Sequence, residues 1–230
     1  MDIYIALDFQ DRTEVESFLA KFGDEKPAVK VGMELYYKEG AAFVRELSEK
    51  GHEVFLDLKV HDIPETARRT MRVIGSLGVA LTNVHATGGT EMMRAAKQGL
   101  EEAGARTKLI AVTQLTSSTQ STLTELMIDA GMHEVITAYA KQAKLAGLDG
   151  VVCSALDAKI VHEACGEDFL IVTPGIRMTG DAADDQKRIA TPAIARKNGA
   201  KTLVVGRPIT RALDPVEAYS AIMKEWEVNV

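Results

Sequence analysis

The sequence predicts an α/β protein, a single (β/α)8 TIM barrel spanning residues 1–230. Three observations carry that expectation. Short β-branched or apolar runs alternate along the chain with longer segments whose apolar residues recur at three- and four-residue spacing. The short runs number eight, the count that closes a barrel. No linker, low-complexity tract or charge block divides the 230 residues, which exceed the about 150 usual for one domain yet suit one barrel. An open doubly wound sheet is the alternative arrangement of the same alternation.

Taken in order, residues 3–8 read as the first strand, "RTEVESFLAKF" as the helix after it, and Gly23 as the left-handed residue that stops that helix. Strand 28–31 leads to "YYKEGAAFVRELSEK", which ends at Gly51. Strand 54–58 leads to "PETARRTMRVIGSL". Strand 81–85 turns through Gly88 and Gly89 into "GTEMMRAAKQGLEEA", capped near Thr90 and stopped by Gly104. Strand 108–115 is followed by the long connection "TSSTQSTLTELMIDAG", then by "HEVITAYAKQAKLA" and Gly147. Strands 150–153, 170–173 and 202–205 complete the set, with Gly199 before the last and "DPVEAYSAIMKEW" closing the chain. A second long connection, "PGIRMTGDAADDQKR", follows the seventh strand and places Arg177 and Gln186 beside Gly175 and Gly180. Both long connections leave strand C-termini, the barrel face on which sites are built.

Composition narrows the classes. Hydrophobic residues at 46% and charged residues at 26% are ordinary for a soluble globular chain and exclude disorder. A net charge of -6 argues against nucleic-acid binding, while leaving room for a local basic pocket around one phosphate. Cys153 and Cys165 are the only cysteines, too few for a disulfide framework, so a reducing, cytoplasmic setting is expected. "MDIYIALDF" lacks the features of a secretion signal, and no apolar run reaches membrane-spanning length. Neither metal-ligand spacing nor a glycine-rich nucleotide fingerprint is present, so no metal and no cofactor are expected.

The chemistry concentrates in "DLKVHDIPET", residues 57–66, which follows the apolar "EVFL". Period two puts Phe55, Asp57 and Lys59 on one strand face and Leu56 and Leu58 on the other, so Asp57 and Lys59 point into the barrel mouth with His61 and Asp62 just beyond. Asp8 ends the first strand and Lys30 the second, so four charges converge on one small volume. Burying them is costly unless they pair, and alternation of lysine with aspartate keeps all of them ionised. A lysine held so can deliver a proton; a carboxylate held so repels an anionic group pushed against it. An ordinary ion pair closing the barrel would explain one Asp-x-Lys, but not the set. Separately, "VVGRPITRAL" after the eighth strand offers Gly206, Arg207 and a short helix near Pro208, and "TPGIR" after the seventh offers Arg177. Loops after strands seven and eight are the usual phosphate site of such barrels. His85 reads as a pocket wall, and His52, His133 and His162 as structural.

"DLKVHDIPET" resembles the D-x-K-x-x-D-I-P-x-T signature of the orotidine 5'-monophosphate decarboxylases, bacterial type. "ALD", "KVG", "TQLTS", "TPGIR", "DDQKR" and "VVGRPI" continue the resemblance in family order across nearly the whole chain. The resemblance implies decarboxylation of orotidine 5'-monophosphate to uridine 5'-monophosphate, the last step of de novo pyrimidine nucleotide synthesis, without a cofactor. It implies that Lys59 protonates the pyrimidine carbon, that Asp57 stands beside the departing carboxylate, and that Lys30 and Asp62 complete the charge network. Asp8 matches a ribose contact, Thr116 the residue that reads the pyrimidine edge, and Arg177, Gln186, Gly206 and Arg207 the phosphate side. It further implies a homodimer in which Asp62, Ile63 and Thr66 reach the neighbouring subunit's site. A metal-dependent 3-keto-L-gulonate 6-phosphate decarboxylase is an alternative, against which Lys30 and "IPET" count. A non-catalytic phosphate-binding barrel is another; binding alone has no need of a buried lysine-carboxylate alternation.

Overall fold

Alternation of period two within each apolar run sends its side chains to two environments, and that sorting shapes the sheet. The computed structural model describes residues 3–178 and 190–227. Its strands are β1 (Ile3–Ala6), β2 (Ala28–Gly32), β3 (Val54–Val60), β4 (Leu81–His85), β5 (Lys108–Val112), β6 (Gly150–Val152), β7 (Leu170–Thr173) and β8 (Thr202–Val205). Each pairs in parallel with the next, and β8 returns to β1, so the eight form a closed barrel in chain order. The sheet is therefore the (β/α)8 barrel and not the open alternative.

Ala6, Ala28, Phe55, Leu81, Ile110 and Val204 pack together inside the barrel. Their chain neighbours Ile5, Val29, Leu56, Leu109 and Leu203 belong instead to the larger cluster between sheet and helices. Each large side chain so buried stabilises the fold by about 1.5–3 kcal/mol, so these apolar layers hold a barrel whose mouth can be polar.

The helices are α1 (Arg12–Ala20), α2 (Met33–Glu49), α3 (Pro64–Gly75), α4 (Gly89–Glu102), α5 (Gln120–Glu125), α6 (Met132–Leu145), α7 (Ala158–Cys165), α8 (Pro192–Lys197), α9 (Arg207–Thr210) and α10 (Pro215–Glu227). Asp11 starts α1 by accepting the Glu14 N–H at 3.1 Å, and Thr191 starts α8 by accepting that of Ile194. The five glycines expected to stop helices all take positive φ. Helices α3 and α4 approach closely because Gly99 has no side chain; a Cβ there would fall 2.1 Å from the Arg68 carbonyl oxygen. Several boundaries differ from the sequence expectation. Helix α2 begins three residues before "YYKEG" and breaks at Gly40, and α5 occupies part of the first long connection. Strands β1 and β5 stop at Ala6 and Val112, short of Asp8 and Leu115, because only one further sheet-like bond follows each, from Leu7 N–H to Lys30 and from Thr113 N–H to Val152. Strand β3 runs beyond Leu58 to Val60 through a register shift. Cys153 and Cys165 are buried, and no disulfide joins them. Among the described residues, no helix is long and apolar enough to cross a membrane.

Candidate active site

Two residues beyond the inward-facing Ala28, Phe55 and Leu81, the same strand face carries Lys30, Asp57 and Asn83, a polar layer stacked on the apolar one. The Lys30 side chain is 10% exposed, with Nζ 3.1 Å from Asp8 Oδ1 and 3.7 Å from Asp57 Oδ2. Lys59 Nζ donates to the other Asp57 oxygen, Oδ1, at 2.7 Å, and Asn83 Nδ2 donates to that same oxygen at 2.7 Å. The four charges thus form a continuous series, Asp8, Lys30, Asp57, Lys59. Burial, the largest influence on the Asp57 carboxyl, pushes its pKa up; the ammonium groups of Lys30 and Lys59, with hydrogen bonds from Lys59 and Asn83, overcome it and hold the carboxyl below its ordinary value. Asp57 is anionic at neutral pH as a result, fixed in place and nearly dry. Gly32 makes room for this: a Cβ there would lie 3.1 Å from Lys30 Nζ.

The expected alternation along β3 holds through Asp57 and then fails. Lys59 has φ +50°, a backbone region that L-residues seldom occupy, and the β3–β4 register shifts between Leu56 and Val60. Lys59 meets Asp57 from a bulge, and its N–H is taken by Asn83 Oδ1 at 2.8 Å. Burial, then His61 and Lys59, push the nearby His85 imidazole below its ordinary pKa, which favours the neutral ring. His52, by contrast, bonds the Pro27 carbonyl oxygen through Nδ1 at 2.9 Å.

Over this layer lies a cavity of 310 Å³ whose walls include Lys30, Asp57, Lys59, Asn83 and Thr116. A smaller hollow of 130 Å³, lined by Asp8, Gly175, Arg177, Gly206 and Arg207, shares Lys30, Pro174 and Val204 with it, so the two are lobes of one site. Arg177 is buried; its N–H donates to Ala190 at 3.0 Å and its Nη1 to the Ile176 carbonyl at 2.8 Å. Gly206 immediately precedes α9, which starts at Arg207, one residue before the expected Pro208. Larger hollows of 650 and 640 Å³ open where strands begin, around Lys108 and Leu170, the face that in such barrels serves stability.

A family model described as orotidine 5'-phosphate decarboxylase / HUMPS matches residues 1–222. The chain belongs to that family. A relative from Listeria monocytogenes serotype 4b, named orotidine 5'-phosphate decarboxylase, is 54% identical over 226 residues, 96% of this chain and 97% of its own. One of the same name from Bacillus cytotoxicus is 50% identical over 230 residues, 98% of this chain and 97% of its own. Among solved structures, the orotidine 5'-phosphate decarboxylase of Lactobacillus acidophilus superposes with a TM-score of 0.88 at 43% identity, covering 98% of this chain and 99% of that one. The family resemblance carried by the sequence motifs is thereby established.

Within one chain, the family's motif residues do not all meet. Asp62, Ile63 and Thr66 are exposed at the start of α3, and Asp62 Oδ1 accepts the Ile63 N–H at 2.7 Å. Among the described residues, no ion pair joins Asp62 to Lys30 or Lys59 within the chain. Gln186 and Gly180 lie outside the described residues. Sequence reasoning missed Asn83 and Gly32. A polar residue at an inward position of "LTNVH", two residues after Leu81, was the available signal for the first.

Proposed function

We propose that this chain decarboxylates orotidine 5'-monophosphate to uridine 5'-monophosphate and carbon dioxide, the last step of de novo pyrimidine nucleotide synthesis. The observation that carries the reading is the Asp8, Lys30, Asp57, Lys59 series running from one lobe of a cavity to the other: Asp57 and Lys59 line the larger lobe, Lys30 both, and Asp8 the smaller, which also presents Arg177, Gly206 and Arg207. Relatives about half identical over nearly their full length bear the corresponding name, which supports it.

In this reading the nucleotide's phosphate occupies the smaller lobe, held by Arg177 and Arg207 with Gly206 and Gln186, and its pyrimidine enters the larger one. Asp8 bonds the ribose and Thr116 the pyrimidine edge. The substrate carboxylate comes to lie against Asp57, an anion that Lys30 and Lys59 prevent from taking up a proton, and repulsion there disfavours the ground state. The bond between ring carbon and carboxylate breaks, carbon dioxide departs, and the electron pair stays on the ring carbon. Lys59 transfers an ammonium proton to that carbon, and its amine regains one from water. No cofactor enters these steps. In the 3-keto-L-gulonate alternative an acidic residue would stand where Lys30 lies between two carboxylates.

The assembly belongs to the same proposal: a homodimer with shared sites, each taking Asp62, Ile63 and Thr66 from the neighbour. The exposure of those residues supports it, Ile63 being 67% exposed, as does an adjoining hollow of 500 Å³ lined by Tyr37, His61 and Val73. A single 1–230 catalytic domain, acting in the cytoplasm without nucleic acid or membrane, completes the reading. Purified protein incubated with orotidine 5'-monophosphate should bleach the substrate's ultraviolet absorbance; absence of turnover rejects the function.

A further inference from the structure

We propose that Asn83 is a positioning residue that uses the two ends of one amide to hold both the Lys59 backbone and the Asp57 carboxylate in their working geometry. The inference rests on the decarboxylase reading for what that geometry is for, and on the structure alone for the geometry itself.

Strand β3 pairs Leu56 with Thr82 and next pairs Val60 with Val84, so four residue steps of β3 run against two of β4. The surplus is accommodated around Lys59, whose φ of +50° puts its Cβ near the following carbonyl, an arrangement L-residues avoid. A bulge also takes a backbone N–H out of the sheet ladder, and an N–H so freed needs another acceptor. Asn83 supplies it: Oδ1 accepts the Lys59 N–H at 2.8 Å, and this same requirement orients the amide so that Nδ2 faces Asp57. Nδ2 donates to Asp57 Oδ1 at 2.7 Å, the oxygen that also takes Lys59 Nζ at 2.7 Å. Three hydrogen bonds therefore close a ring through Asn83, Asp57 and Lys59. Asn83 is 1% exposed, so water does not compete for either end of the amide.

Few side chains satisfy both partners. An aspartate of the same shape would still accept from the backbone, but would set its second oxygen against the Asp57 carboxylate. An alanine would release both. Two carboxyl groups forced together share a proton, so the replacement Asn83→Asp should recover its donor as the pH falls. A merely structural role for Asn83 predicts no such recovery.

The test compares wild type, Asn83→Asp and Asn83→Ala for orotidine 5'-monophosphate turnover from about pH 8 to about pH 5.5, together with calorimetric binding of uridine 5'-monophosphate. We expect kcat near pH 8 to fall about 100-fold in both variants, with product affinity within about threefold of wild type. Asn83→Asp alone should regain turnover, relative to wild type, towards the acid end. Wild-type kcat in either folded variant, or equal loss of kcat and product affinity with no acid recovery, overturns the proposal. A crystal structure of whichever variant folds provides a measurement independent of turnover: Lys59 should leave positive φ or its Nζ should leave Asp57 Oδ1. Unchanged geometry overturns the inference even where the wild type is active. A wild type without turnover rejects the functional reading, and the variant's geometry still decides the role of Asn83.

Discussion

Replacing Lys30 with methionine would remove the ammonium that stands between two carboxylates while keeping most of the side chain's volume. Its two pairs are unequal. The Asp8 side chain is 66% exposed, so water screens that contact and its loss costs about 0–1 kcal/mol. The Asp57 side chain is 13% exposed, and at 3.7 Å the gross attraction in an effective dielectric of about 20 is roughly 4 kcal/mol. Methionine avoids the desolvation of a buried ammonium, and Asp57 retains Lys59 and Asn83, so the net loss stays below the roughly 3–5 kcal/mol of a buried charge stripped of its partner. A destabilisation of about 2 kcal/mol follows, or about 4–8 °C in Tm for a chain of this length.

The pH dependence separates charge from packing. Burial raises the Asp57 carboxyl, and Lys30 leads the groups that bring it below its ordinary value. A carboxyl depressed in the folded state contributes stability that is present above its unfolded pKa, about 3.9, and lost as pH falls through the folded value. Without Lys30 the folded value rises. The gap between variant and wild type is therefore full at neutral pH and closes as pH falls through the variant's Asp57 value and then the wild type's lower one. Urea unfolding across that range measures it. Equal stability at neutral pH refutes the reasoning; so does a gap that persists undiminished in acid, which would belong to packing.

Lys59→Ala should abolish turnover yet still bind uridine 5'-monophosphate, since in the proposed mechanism it removes the proton donor and leaves the arginine lobe; near-normal turnover would exclude Lys59 from that role. Arg207→Ala should raise KM about tenfold or more by removing a charged phosphate contact, and an unchanged KM would remove Arg207 from the site. Co-expression of Lys59→Ala with Asp62→Ala should restore activity from intact sites in mixed dimers, about a quarter of all sites under random pairing. Mixed dimers, verified by mass, with only the mean activity of the two variants would reject the shared site.

The barrel was legible because each strand must hide two apolar faces, and a chain that repeats this eight times with intervening helices has few ways to do so. Boundaries were less legible. Strands β1 and β5 stop where pairing stops, although apolar residues continue in the sequence. Helices α5, α7, α8 and α9 span 6, 8, 6 and 4 residues, too few apolar repeats for a helical period to register clearly.

The site was legible where burial makes a residue costly. Lys30, Asp57 and Lys59 stand out in apolar runs because a buried charge without a partner is expensive, so each one announces another. Asn83 carries no charge, and one amide in "LTNVH" can be satisfied in many ordinary ways. Its importance depends on the bulge opposite, which no glycine marks: Lys59 itself takes the positive φ. Strict alternation would also have brought Lys59 to the mouth, so the sequence argument reached the right neighbour through the wrong backbone. The difference has a physical consequence. On a regular strand, the Lys59 N–H would be tied by the ladder and the ammonium's position would depend on its own rotamers. On the bulge, that N–H is tied by a side chain which also grips Asp57, so Lys59 and the anion beside it share one anchor. A substitution at Asn83 then disturbs both together.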